Sequence, residues 1–200
     1  MKKLFAILLI VLAVTPLFAS EGQIGATLGF QNFWIKDRDG VTSLSIVASV
    51  DGANYFGNNG GFGVEYGIGM IDLMSYREDN HTVDDDDFDP SLLLHAGASY
   101  RYGFTDVIGI SAGLGLASQM TWDSMTIINS QIDIFDFTMA LYGRAAADFT
   151  FSSLRLNLGL EMGGPIYSMR KESGEGYSKT MDDIINGFYL TPYVSLSYKY

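Results

Sequence analysis

The last ten residues, Thr191-Pro-Tyr-Val-Ser-Leu-Ser-Tyr-Lys-Tyr200, alternate strictly between apolar and polar side chains and end on an aromatic residue. Ends of soluble chains are usually polar and frayed. A greasy strand running to the last residue is expected only where one face meets something other than water. Upstream, the pattern extends to Phe188. Phe188, Leu190, Pro192, Val194, Leu196, Tyr198 and Tyr200 share one face; Tyr189, Thr191, Tyr193, Ser195, Ser197 and Lys199 share the other.

The same two-residue period recurs along the chain, and period two is the signature of strands. Over Phe135–Phe151 the odd positions are apolar or small throughout, while the even positions carry Asp136, Arg144 and Asp148. Over Leu154–Met162, four leucines and a methionine oppose Arg155, Asn157, Gly159 and Glu161. Eight such segments are read, at about 22–35, 43–50, 61–76, 91–104, 107–122, 135–151, 153–163 and 187–200. Long polar connections are expected near 36–42, 77–90, 123–134 and 164–186, and short ones near 104–107 and 151–153. The stretch 51–60, DGANYFGNNG, fits this scheme least well; a hidden hairpin there would raise the strand count to ten.

The fold class expected is all-β: an eight-stranded antiparallel barrel. Which face meets lipid or water follows from the polar face. It is built from Gly, Ser, Thr, Tyr and Gln with few charges, a poor solvated surface but a good filling for a narrow interior. Gly63, Gly67, Gly69, Gly109, Gly113 and Gly115 fall on it. Aromatic residues collect at both strand ends: Phe62, Tyr100, Tyr102, Phe104, Phe149, Phe151, Tyr198 and Tyr200 beside the short turns, and Trp34, Trp122, Phe135 and Phe188 beside the long connections. Two such belts around an aliphatic band match the two interfaces of a bilayer. A transmembrane barrel with its apolar face outward is therefore expected, with the last strand closing against the first, QIGATLGF, so that no edge is left unpaired in lipid.

Residues 1–20 are read separately, as a secretory signal peptide. Lys2 and Lys3 precede an apolar run from Leu4 to Val14, too short to span a bilayer. Cleavage is expected after Ala19 or Ser20, leaving one barrel domain over 21–200. The whole chain carries a net charge of −11, and loss of the two lysines makes the exported part −13, a balance unsuited to nucleic acid. With no cysteine, disulfides and lipid attachment through an N-terminal cysteine are excluded.

On this pattern the chain resembles the small outer-membrane β-barrels of Gram-negative-type bacteria, the OmpX, OmpW and OmpA-barrel group. The most specific piece is YVSLSYKY. Val194, Leu196, Tyr198 and Tyr200 look like the terminal signal read by the barrel-assembly machinery. The resemblance implies outer-membrane lipid as surroundings, a periplasmic N-terminus, short periplasmic turns and longer surface loops. Pro192 departs from the pattern: it has no ladder donor, so a bulge or a gap in pairing is expected there.

Eight charged residues fall on the inward face: Glu65, Asp136, Asp148 and Glu161 against Arg101, Arg144, Arg155 and Lys199. Charges in a dry interior must be paired. Hairpin arithmetic predicts Arg144 beside Glu161, Asp148 beside Arg155, and Glu65 at the depth of Arg101 near the periplasmic end. The reading preferred is a plug of ion pairs sealing the lumen of a monomer with a structural or surface-contact role. A passive channel for small or apolar solutes, as in the OmpW group, is the alternative. A lipid-modifying enzyme is the second alternative, with His95 as base; Ser99 and Ser111 are its inward neighbours but nothing fixes a nucleophile beside it, and an interior, hydrogen-bonded His95 is preferred. No cofactor is expected. Residues 77–90 carry seven acids and one arginine. Asp84, Asp85, Asp86, Asp87 and Asp89 are weak Ca²⁺ candidates, but their spacing does not match an EF-hand loop and a solvated surface loop is the default. The mixed segment 164–186 is a candidate for contacts outside the cell.

Overall fold

The computed structural model describes residues 21–35, 41–57, 60–78, 81–84, 89–127, 130–174, 177–183 and 187–200. Residues 1–20 lie outside them. Every regular element described is a strand: β1 (Glu21–Ile35), β2 (Thr42–Tyr55), β3 (Gly60–Glu78), β4 (His81–Asp84), β5 (Ser91–Gly103), β6 (Ile108–Ile127), β7 (Ser130–Phe151), β8 (Leu154–Gly174), β9 (Tyr177–Asp183) and β10 (Gly187–Lys199). All pairings are antiparallel. Eight strands form a closed ring, β1-β2-β3-β5-β6-β7-β8-β10, with β10 returning to β1. Strands β4 and β9 lie off the ring, folded back on the ends of β3 and β8.

Closure is what lets this backbone lie in hydrocarbon, where an unpaired peptide group costs several kcal/mol in the range of ~4–8. The closing ladder matches Gln23 with Lys199, and Tyr200 and Gly22 exchange N–H···O bonds of 2.9 and 3.1 Å. Pro192 leaves the expected gap. Pairing of β1 with β10 lapses between Gly29↔Tyr193 and Asn32↔Leu190, with the register unchanged on either side. On its other flank Pro192 stays in register with Leu160.

The pleat has the orientation inferred from the sequence. Leu158 and Leu196 are 49% and 54% exposed on the outer face, whereas Glu65, Asp148 and Arg155 are each 1% exposed within. The belts are in place. Trp34 stacks on Phe188 with ring centroids 4.7 Å apart and Trp122 lies 5.4 Å from Phe135; at the opposite end Phe62 meets Tyr100 at 5.0 Å.

Three expectations need correction. The second segment does not end at 50: residues 51–55 continue β2 with no added hairpin, and the turn to β3 is closed by Phe56 N–H donating to Phe62 O at 2.8 Å. Gly60 and Gly61, at φ of +125° and +110°, supply the backbone that turn requires. The connections 123–134 and 164–186 are largely strand rather than loop. β6 and β7 stay paired up to Ile127↔Ser130, and β8 runs to Gly174 before β9 folds back along it. The physical reason is a weaker alternation (Met125, Ile127, Ile132, Ile134) that resumes past the belt in the opposite phase, with Ile134 buried. Part of 77–90 is likewise strand: β4 pairs with the top of β3. The result is a raised sheet, β6-β7-β8-β9, standing above one side of the barrel mouth.

Candidate functional site

Inside the ring, side chains pack in two charged layers beneath a hollow upper half. Glycines make this packing fit. Tyr193 lies over Gly159, Tyr189 over Gly163 and Tyr142 over Gly97 and Gly115, where a Cβ would fall within 3 Å of the tyrosine. A narrow barrel holds large rings only where the neighbouring strands over which they lie have no side chain.

The lower layer lies at the short-turn end. The Glu21 carboxylate gathers three cations: Arg155 Nη2 at 2.6 Å, Lys199 Nζ at 3.1 Å and Arg101 Nη1 at 3.6 Å. Arg155 donates in addition to Gln23 and Thr150. Arg101 Nε donates to Asp148 at 3.0 Å, and Ser111 donates to the other oxygen of Asp148 at 3.0 Å. The upper layer centres on Glu65. It accepts Arg144 Nη2 at 2.6 Å and Nε at 2.9 Å on one oxygen, and Tyr142 Oη at 2.7 Å on the other. Nearby, Thr27 donates to Asp51, and His95 Nε2 faces Asp51 Oδ1 at 3.5 Å.

All eight inward charges predicted from the sequence line the interior, but their partners differ. Arg144 and Glu161 are register neighbours as expected, yet the guanidinium reaches across the lumen to Glu65, and Glu161 accepts instead from Tyr189 Oη at 3.1 Å. Asp148 pairs with Arg101 rather than Arg155, because Arg155 stands opposite Thr150 and Asp148 opposite Asn157. Glu65 does not share the depth of Arg101: the ladder matches Gly61 with Arg101 and Glu65 with Gly97, four residues further along. Asp136 lies at the mouth, where Arg170 grips both of its oxygens at 2.8 and 2.7 Å. Hairpin arithmetic sees only neighbouring strands, whereas a narrow lumen brings opposite walls within reach of one arginine.

Three participants were missed. Glu21 fell one residue outside the first segment read. Asp51 fell in the stretch assigned to a turn, although it continues the parity of Ser45, Val47 and Ser49. Arg170 fell in a presumed loop. Of the acidic candidates, Asp85, Asp86 and Asp87 lie outside the described residues, Asp84 ends β4, and Asp89 N–H donates to Asp72 at 3.2 Å. Among the described residues no group of three or more His, Asp or Glu has metal-holding geometry. His95 has Asp51 and the ring of Tyr142, 5.9 Å away, as its neighbours, and Ser111 is committed to Asp148. Val194, Leu196, Tyr198 and Tyr200 all point outward.

Above the upper layer lies a cavity of about 850 Å³ that reaches the rim at Asp89, Asp136 and Arg170. A second void of about 30 Å³ lies below, between the layers. Thr27, Asp51, Arg144 and Tyr193 border both and form the partition between them.

Comparison with known proteins agrees with this architecture. Among solved structures, the Neisserial surface protein A superposes with a TM-score of 0.60 at 10% identity, covering 90% of this chain and 97% of that one. A major outer membrane protein from Thermus thermophilus (TM-score 0.52, 10% identity, 90% and 99% covered) and OprG from Pseudomonas aeruginosa (0.52, 10%, 91% and 96%) share the fold. No curated protein sequence matches. The profile of the outer membrane protein beta-barrel domain matches residues 4–163. With a match over most of its length and a closed ring wearing its apolar face outward, the chain belongs to the outer membrane protein β-barrel domain family and is a protein of the outer membrane.

Proposed function

We propose that this protein is a monomeric, lumen-closed outer-membrane barrel that acts at the cell surface, in a structural and contact-making role, rather than as a pore. The observation that carries the reading is the pair of stacked charged layers. Glu21, Arg101, Asp148, Arg155 and Lys199 fill the lower lumen, and Glu65, Arg144 and Tyr142 bridge it higher up. An ion entering from above would have to break paired, buried charges twice. The raised β6–β9 sheet supports the contact role, since it presents exposed Lys171, Tyr177 and Lys179. Residues 1–20 direct export in this reading, and Val194, Leu196, Tyr198 and Tyr200 are what the assembly machinery reads. Catalysis is not assigned, because no serine accompanies His95 among its described contacts.

Planar-bilayer recording of the refolded barrel tests the closed lumen; reproducible single-channel steps would overturn it. Replacing 165–186 by a short Gly-Ser turn should lower surface attachment of expressing cells to the level of barrel-free cells. One observation favours the passive-channel reading: the upper half of the lumen is hollow. The same recording separates the two readings. Membrane lipid acyl composition should be unchanged by His95→Ala; a change would revive the enzymatic alternative.

A further inference from the structure

We propose that the upper cavity is a binding site for a small organic cation, with its ammonium group held at the floor by Asp51 and Glu161 and its apolar body against the wall. Charge pairing in the cavity leads to this assignment. Two arginines border it, and both are spent. Arg144 is engaged twice by Glu65, at 2.6 and 2.9 Å, and Arg170 twice by Asp136, at 2.7 and 2.8 Å. Asp51 and Glu161 border the same cavity. Among the described residues neither has a lysine or arginine at ion-pair distance.

The donors these carboxylates do have are few. Thr27 donates to Asp51 Oδ2, and Tyr189 donates to Glu161 Oε1 at 3.1 Å. Asp51 Oδ1 and His95 Nε2 face each other at 3.5 Å, both are buried from solvent, and neither makes a hydrogen bond. The His95 side chain is 8% exposed. Buried carboxylate oxygens without donors are rare and point to a missing partner. An anion would have to take Arg144 or Arg170 from a carboxylate that already accepts two of its hydrogen bonds, whereas an ammonium group supplies three donors where acceptors are underused.

The walls add the second half of the recognition. Phe33, Val47, Ile71, Leu73, Leu93 and Ala117 face the cavity, interspersed with serines and threonines. A volume of about 850 Å³ suits a drug-sized guest, since ligand cavities commonly span ~300–1,000 Å³. Asp72 and Asp89 on the approach, on a chain of net charge −11, draw cations toward the mouth.

The barrel in zwitterionic phospholipid nanodiscs should be titrated calorimetrically at neutral pH with three matched probes, hexylammonium, hexanol and hexanoate, with empty discs as reference. Hexylammonium should bind at least 10-fold more tightly than either partner. Asp51→Asn and Glu161→Gln should each weaken it at least 10-fold while heat-modifiable gel migration shows the barrel folded; Asp123→Asn, away from the cavity, should stay within 2-fold. Equal binding of hexanol or hexanoate, no binding of the amine, or unchanged affinity in both folded variants would overturn the assignment. A barrel that conducts yet binds the amine as described would refute the closed lumen and leave this site standing.

Discussion

Replacing Glu21 by glutamine should destabilise the barrel far more than any single neutralisation at the rim. The side chain keeps its shape, but Arg155, Lys199 and Arg101 lose the carboxylate they share at 2.6, 3.1 and 3.6 Å. Among the described residues Asp148 then remains as the sole anion of the lower layer. Arg155 is the critical cation because its side chain is 1% exposed, so its charge cannot be rehydrated in place. Stranding one member of a buried ion pair costs about 3–5 kcal/mol. Arg155 keeps Gln23 and Thr150 as acceptors, which places the expected loss at the lower bound, about 3 kcal/mol. With a urea slope of roughly 1–3 kcal/mol per M, the unfolding midpoint should fall by about 1–3 M. The assay is urea unfolding in phospholipid vesicles, followed by the fluorescence of Trp34 and Trp122. Asp136→Asn is the comparison. Its partner Arg170 is half exposed, so that pair is worth at most about 1 kcal/mol after solvent screening. Equal midpoints for Glu21→Gln and the parent, or equal shifts for the two variants, would refute the assignment of Glu21 as the anchor of the lower layer.

Three further outcomes are expected. Leu158→Arg, on the lipid-facing side of β8, should cost about 2–4 kcal/mol in the same unfolding assay, and a cost near zero would put that face in water. Gly97→Ala would place its Cβ 2.5 Å from the Leu114 carbonyl oxygen, whereas at Gly143 the nearest atom is 3.8 Å away; the first should lose about 1–3 kcal/mol and the second should be tolerated, as thermal melts would show. Removing the upper layer by Glu65→Gln with Arg144→Met should leave conductance undetectable, because Glu21, Arg155 and Lys199 still close the lumen below; steps in a planar bilayer from that double variant would refute the second seal.

The ring of eight was legible in the sequence because a strand buried on one side writes its orientation into every second residue. Leu154–Met162 and Phe135–Phe151 are unambiguous in this respect. The raised sheet was harder to see, since Asp123, Ser124, Gln131 and Asp133 lie past the belt with no hydrocarbon to force apolar residues outward, and a strand whose apolar residues change face at the belt looks like a loop. Within the site, parity correctly sent Glu65, Arg101, Arg144 and Arg155 inward. It could not choose partners, because those are set by the diameter and stagger of the closed ring, a property of all eight strands together. Asp51 was lost for a local reason: the following Gly-Ala-Asn mimics a turn, although Asp51 keeps the inward phase of Ser49.

The interruption at Pro192 divides the joint between first and last strands into unequal parts, seven rungs from Gln23 to Gly29 and four from Asn32 to Ile35. Across the gap the Thr191 hydroxyl donates to the Gln31 side chain at 3.4 Å in place of a backbone rung. The shorter outer row should therefore exchange its amide protons sooner than the inner seven.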